Sequence, residues 1–242
     1  MAGLATVAGG TAARAQDWST IVLPDATPLR IETWAGADIT AKSWSAYSGA
    51  TLALFGPIDS DGWRLRAVGG YGAYSYDGAP AVSGQSSARA FRGTVSFADL
   101  LLGYQKQYGP LTLKAFAGAS AAHHQPTQAD AEKLVSGLDL GVKGILEAWL
   151  NMTERSWASL NIGWSSAQDI RQRLRFGFAV WPELSLGVEA EAASHADDDG
   201  GRGGVFVRYC WASGEIAASG GPLLDSSTTP GAYGTVNVLT RF

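Results

Sequence analysis

The sequence predicts an all-β protein: an antiparallel transmembrane β-barrel of the outer-membrane type with about twelve strands. Three observations predict it. Apolar and polar residues alternate with period 2 in segments of roughly ten residues, the connections alternate between short and long, and the chain closes on an amphipathic segment ending at Phe242. Composition agrees, because 31 Gly and 9 Trp stand beside only 17% charged residues, against a usual charged share of about 25%. Helical periodicity is weak, and no run of about 18 apolar residues exists, so a helical membrane span is excluded and a strand-built one is not.

The strands are expected at 31–39, 44–55, 63–76, 93–107, 111–121, 135–149, 157–168, 171–181, 184–194, 202–212, 214–222 and 232–242. In the first three, Trp34, Tyr47, Tyr74 and Tyr76 have the parity of the inner face. Trp63, Leu65 and Ala67 oppose Arg64 and Arg66. In the sixth, Leu138, Leu140, Val142 and Leu146 share one face while Asp139, Gly141, Lys143 and Glu147 share the other. In the tenth, Val205, Val207, Tyr209 and Trp211 oppose Arg202, Gly204, Arg208 and Cys210. A soluble sandwich also alternates, but its exposed faces carry abundant Lys and Glu. Here the polar face is rich in Gly and Ser with a few charges of both signs, which suits a crowded lumen.

The eighth and ninth strands fix a register. Leu174, Phe176, Phe178 and Val180 face outward together with Leu184, Leu186 and Val188 only if the turn holds an odd number of residues, and Trp181, Pro182 and Glu183 supply it. Arg175 then faces Glu189 and Arg173 faces Glu191, as opposite-charge pairs on the lumen side that brace the wall or meet a solute. Connections after odd-numbered strands include every long polar one, with the stretch after the second strand as the exception among the short turns. Phe55, Trp63, Trp149, Trp157, Trp181 and Trp211 lie near those turns like an aromatic girdle, although parity turns Trp149 and Trp157 inward. On the last strand, Gly234, Val236, Val238, Thr240 and Phe242 share the outer face, and a terminal Phe there resembles the membrane-insertion signal of bacterial outer-membrane barrels.

Residues 1–15 resemble the later part of a secretory signal, truncated at its basic start, with Ala13 and Ala15 at the −3 and −1 positions of the cleavage site. An Ala/Gly tail is the alternative. Residues 16–30 are expected to form a periplasmic arm, free or folded into the lumen, and 31–242 the barrel, in the bacterial outer membrane with its lipid as surroundings.

Little in the chain points to chemistry. A net charge of −4 without a basic cluster argues against nucleic acid as a partner. Cys210 is the single cysteine, which rules out an internal disulfide and a CxxC site. His123 and His124, near Asp130 and Glu132, fall in an expected surface loop and match no zinc spacing, and His195 with Asp197, Asp198 and Asp199 reads as a solvated acidic tip. No metal or cofactor is therefore expected. Ser120 with His123 is the one candidate pair for a lipid hydrolase, without a supporting carboxylate at a suitable spacing.

Several stretches together, "WAGADITAKSWSAYSGATLALFGPIDSDGWRLRAVGGYGAYSYDG", "GYQKQYGPLTLKAFAG", "LSLGVEAEA", "GRGGVFVRYCWASGEIAASGG" and "YGTVNVLTRF", resemble the BcsS family of cellulose biosynthesis proteins in their order and spacing over about residues 31–242. The resemblance implies a non-catalytic outer-membrane accessory to cellulose production or export, with the cellulose chain and other export components as candidate partners. It carries over no catalytic residue. Trp34, Tyr47, Tyr74 and Tyr76 are then candidate glucan-contacting aromatics. A small-solute, porin-like channel is the alternative function, and a lipid hydrolase the third. Twelve strands allow a modest lumen but no wide pore.

Overall fold

In a computed structural model, which describes residues 29–78, 89–126, 137–166, 170–195, 198–225 and 231–242, twelve strands close into one antiparallel barrel. They are β1 Ile31–Thr40, β2 Ser43–Ala53, β3 Gly62–Gly78, β4 Arg89–Tyr108, β5 Leu111–Pro126, β6 Gly137–Asn151, β7 Ser156–Ser165, β8 Ile170–Ala179, β9 Leu184–His195, β10 Asp198–Trp211, β11 Gly214–Asp225 and β12 Gly231–Arg241. Each strand pairs with its sequence neighbours, and β1 meets β12 with Thr33 opposite Thr240 and Ala37 opposite Val236. Closure removes every free sheet edge. The expected signal, residues 1–15, and residues 16–28 of the expected 16–30 arm lie outside the described residues.

Twelve strands appear where alternation placed them, but β11 runs on past Pro222, and β3, β4, β5 and β10 also run further at one end. There Gly, Ala, Ser and His give no hydrophobic signal, yet the backbone ladder continues, with Val95 opposite His124 and Asp198 opposite His195. His123 and His124 therefore belong to β5 and not to a loop. As neighbours on a strand they point to opposite faces and cannot close on one metal.

The two faces differ as the period-2 pattern requires. Outward, Leu174, Phe176, Phe178, Leu186, Val188, Val205 and Val207 are all exposed, while on the neighbouring inward positions Glu189, Phe206 and Arg208 are buried. A folded chain in water would bury those large apolar groups; a hydrocarbon surround is what this outer surface suits. Aromatics mark both borders of the apolar band. Trp63 and Tyr104 meet edge to face at 5.4 Å near the turns, and Trp44 and Tyr71 lie 5.8 Å apart near the other rim.

Ala179 pairs with Ser185 and the Val180 backbone N–H donates to the Leu184 carbonyl, so the ladder runs up to Val180 opposite Leu184 and leaves Trp181, Pro182 and Glu183 as the turn. Leu174 stands opposite Ala190, Phe176 opposite Val188 and Arg175 opposite Glu189, so the odd turn keeps apolar side chains on one face.

Glycine is abundant for a reason that only the register reveals. Inward aromatics lie flat against the wall over a glycine directly opposite on the next strand: Trp34 over Gly49, Tyr47 over Gly36, Phe97 over Gly70, Tyr74 over Gly93, Phe116 over Gly103, Trp157 over Gly177 and Phe206 over Gly187. A methyl group at Gly70 would sit 2.5 Å from the Phe97 ring, and one at Gly93 2.6 Å from the Tyr74 ring. Only a residue without Cβ lets the ring approach the backbone this closely.

The rim where β1 begins and β12 ends carries the tight turns, among them Gly109–Pro110, with Gly109 at φ 57°. Its one longer connection, residues 54–61, closes over the mouth of the barrel. Ile58 is buried, and the inward Arg64 donates to the carbonyls of Ser60, Ile58 at 3.1 Å and Pro57 at 3.3 Å. Gln105 adds a hydrogen bond to the Ser60 carbonyl at 3.0 Å. On the outside, Lys106 at 2.5 Å and the Gln107 backbone N–H at 2.7 Å pin Asp61 and hold its carboxyl below the usual carboxylate range.

Candidate functional site

With its outside apolar, the barrel can act only through its lumen, its rims or its loops, and the described polar chemistry converges on the lumen. Inward charges come from strand positions that share the parity of the aromatics. The lumen divides into a half near the tight turns and a half toward the other rim.

The near half is filled by its own side chains. Arg66 on β3 donates to both carboxylate oxygens of Glu147 on β6, at 2.6 and 3.2 Å, and to the Thr51 hydroxyl at 3.1 Å. Its guanidinium lies 3.7 Å from the Phe116 ring centre and 5.2 Å from that of Trp34. Cations over ring faces are favourable in such a dry setting. Trp149 and Trp157 stack at 4.2 Å, Phe206 adjoins them at 5.5 Å, and Arg208 lies 5.1 and 5.3 Å from the two indoles while donating to Glu215 at 2.5 and 3.0 Å. Leu101, Phe116 and Ile145 form a further apolar cluster. Arg64, Arg66 and Trp157 are each 1% exposed and Leu101 0%, so these side chains are withdrawn from water at this level as they would be in a protein core.

Midway, Lys143 donates to Asp99 at 2.6 Å, and Ser120 donates to the other oxygen of the same carboxylate at 2.6 Å. His123 lies on the opposite face of β5, 3.0 Å from the Gln125 amide. The Ser120 hydroxyl thus spends its hydrogen on Asp99, and the strand itself separates it from His123. That geometry assembles no nucleophile and base.

The far half holds a chain of ion pairs. Glu189 accepts from Arg173 at 2.7 Å and Arg175 at 2.8 Å through one oxygen, and from the Tyr233 hydroxyl at 2.8 Å through the other. Glu191 meets Arg171 at 3.0 Å and Arg202 at 2.8 Å. Arg202 also reaches across to Asp38 on β1 at 2.6 Å, where Thr235 donates at 2.8 Å. The predicted pairing of Arg173 and Arg175 with Glu189 and Glu191 is present in the ladder, yet Glu189 serves both arginines and the Arg173 Nε to Glu191 distance is 3.8 Å.

Of the four singled-out aromatics, Trp34 and Tyr47 are buried with Val68 and Leu239 in one cluster. Arg66 lies over Trp34, and the Tyr47 hydroxyl donates to Asn237. Tyr74 is half-buried toward the far rim, and the Tyr76 side chain lies outside the described residues. Phe242 is exposed on the outer surface, and its carbonyl accepts from the Arg30 and Ile31 backbone N–H groups across the β1–β12 seam.

Residues that the sequence did not single out as interacting include the Arg66–Glu147, Arg208–Glu215, Lys143–Asp99 and Arg202–Asp38 pairs. Parity alone could have placed each inside. The cross-lumen partners follow from barrel closure, which no local spacing encodes.

Solved structures similar in fold to this chain include several that are distant in sequence. The TodX deltaS2S3 mutant monoaromatic hydrocarbon channel aligns over 89% of this chain and 90% of its own at 9% identity, with a TM-score of 0.54. The transport unit of the autotransporter AIDA-I from Escherichia coli aligns over 93% and 94% at 8% identity, TM-score 0.51. The translocator domain of autotransporter NalP from Neisseria meningitidis aligns over 90% of both chains at 13% identity, TM-score 0.50. These are likenesses of fold between outer-membrane barrels. No curated protein matches the chain. The family model described as cellulose biosynthesis protein BcsS matches residues 33–242, the whole barrel from β1 to the terminal Phe242. The chain belongs to the BcsS family of cellulose biosynthesis proteins.

Proposed function

We propose that the protein resides in the bacterial outer membrane as a non-catalytic accessory of cellulose biosynthesis or export, acting as a braced barrel that holds export components at the membrane and not as an open duct for the polymer. What carries this is the near half of the lumen, where Arg66, Glu147, Trp149, Trp157, Phe206 and Arg208 pack against one another and the 54–61 connection covers the mouth. A glucan strand needs a continuous groove with ring faces open for stacking. The Trp34 face is occupied by Arg66, and Trp157 is enclosed between Trp149 and Gly177. A non-catalytic role is favoured by the separation of Ser120 from His123 on opposite faces of β5. Phe242 serves, on this view, as the outward terminal group recognised during insertion.

Deletion in the producing host tests the role in cellulose biosynthesis. Cellulose in the medium is expected to fall, with accumulation in the periplasm if the step served is export. Unchanged cellulose in both fractions would contradict the proposal.

A further inference from the structure

In the near half Arg66 rests on Glu147 and Arg208 on Glu215, while Arg64 is spent on the Pro57 and Ile58 carbonyls. The far half gathers several cations on shared carboxylates. There four guanidiniums, Arg171, Arg173, Arg175 and Arg202, share the three carboxylates Glu189, Glu191 and Asp38. Arg173 Nε, Arg175 Nη2 and Arg202 Nε are buried without a hydrogen-bond partner. An unsatisfied buried donor on a charged group is costly, and an oxyanion is the acceptor that relieves it best. The unpartnered nitrogens are covered, while the four arginine side chains keep 11–17% of their surface open to water, against 1% for Arg66 and 5% for Arg208.

We propose that the far half of the lumen is a binding site for an oxyanion, the carboxylate or phosphate of a solute entering from the loop-bearing rim, held by Arg173, Arg175 and Arg202. Glu189 and Glu191 are the built-in competitors. They hold the guanidiniums in planar, pre-aligned positions, and each leaves part of its partners' donor capacity unspent. A neutral sugar offers no charge to this site, so the preference runs to sugar acids or phosphate over an unmodified glucan. The site stands on the lumen geometry alone and does not depend on a role in cellulose biosynthesis.

Calorimetric titration of the full-length protein in an uncharged detergent at low ionic strength tests this, with inorganic phosphate, glucuronate and neutral glucose as probes. Saturable binding of phosphate, of glucuronate or of both is expected, with none for glucose, and the tighter of the two identifies the natural headgroup class. Arg175→Gln is expected to weaken binding by about tenfold or more, the loss of one charge-assisted bond. Glu189→Gln removes a competitor and is expected to tighten binding, an effect opposite to that of a merely damaged barrel. Should Glu189→Gln not fold, Glu191→Gln carries the same expectation. Absence of saturable binding, equal binding of glucose, an unchanged Arg175→Gln, or weaker binding on removal of either carboxylate would overturn the proposal.

Discussion

Glu147→Ala is expected to destabilise the barrel by about 3–5 kcal/mol, because it strands the Arg66 guanidinium without its counter-charge in a water-poor interior. Arg66 is 1% exposed, and its other contacts are the Thr51 hydroxyl and the faces of Phe116 and Trp34. None of these neutralises a charge. Removing both members at once is expected to cost less than Glu147→Ala alone: Arg66→Met with Glu147→Leu places apolar groups beside Phe116, Trp34 and the Leu101–Ile145 cluster, and the remaining cost is the loss of a carboxylate opposite Lys114, which keeps Glu32 nearby. Urea unfolding of the protein in lipid vesicles, read by midpoint at constant slope, measures both. A single Glu147→Ala variant as stable as the parent would mean that water reaches this level of the lumen and that the filled near half is an error.

Gly177→Ala is expected to cost about 1–3 kcal/mol, an overpacking penalty with nowhere to go. The added methyl would lie 2.6 Å from Trp157 Nε1, and the indole cannot retreat because Trp149 stacks on it at 4.2 Å. Trp157→Ala alone is expected to lose about 3–5 kcal/mol by leaving a cavity between Trp149 and Phe206. In the double variant the clash no longer exists, so its cost should fall below the sum of the singles by more than about 1 kcal/mol. Additive costs would show that Trp157 does not rest on Gly177. The same logic extends to Gly70 beneath Phe97 and Gly93 beneath Tyr74.

Much of the fold could be read from the chain because its governing signals are local. Strand side chains alternate with period 2, so Trp63, Leu65, Arg64 and Arg66 declare their faces within one segment. A three-residue turn at Trp181–Glu183 then fixes the β8–β9 register without reference to the remaining strands. The far ends of β3, β4 and β5 were hidden, since Gly, Ser and His continue a backbone ladder without continuing a hydrophobic pattern. The pairing of each inward aromatic with a glycine was hidden too, although both residue types were plainly abundant. It emerges only once two registers place Trp157 opposite Gly177 or Phe116 opposite Gly103.

The candidate site divides along the same line. Arg173, Arg175, Glu189 and Glu191 were legible because one hairpin carries all four. Arg66 and Glu147 are 81 positions apart, and Arg202 and Asp38 164 apart, so their meeting depends on the closure of the cylinder. Where each partner lies on a different part of the wall, a sequence shows only that a charge points inward, not what neutralises it.

Vesicles that contain the purified protein offer the most direct test of a lumen filled by its own side chains in a lipid-borne barrel. The protein is expected to float with the lipid and resist extraction by salt, while the vesicles shrink in a small neutral sugar and stay shrunken. Rapid re-swelling at a rate proportional to protein content would contradict the account, as would protein left behind in the aqueous fraction.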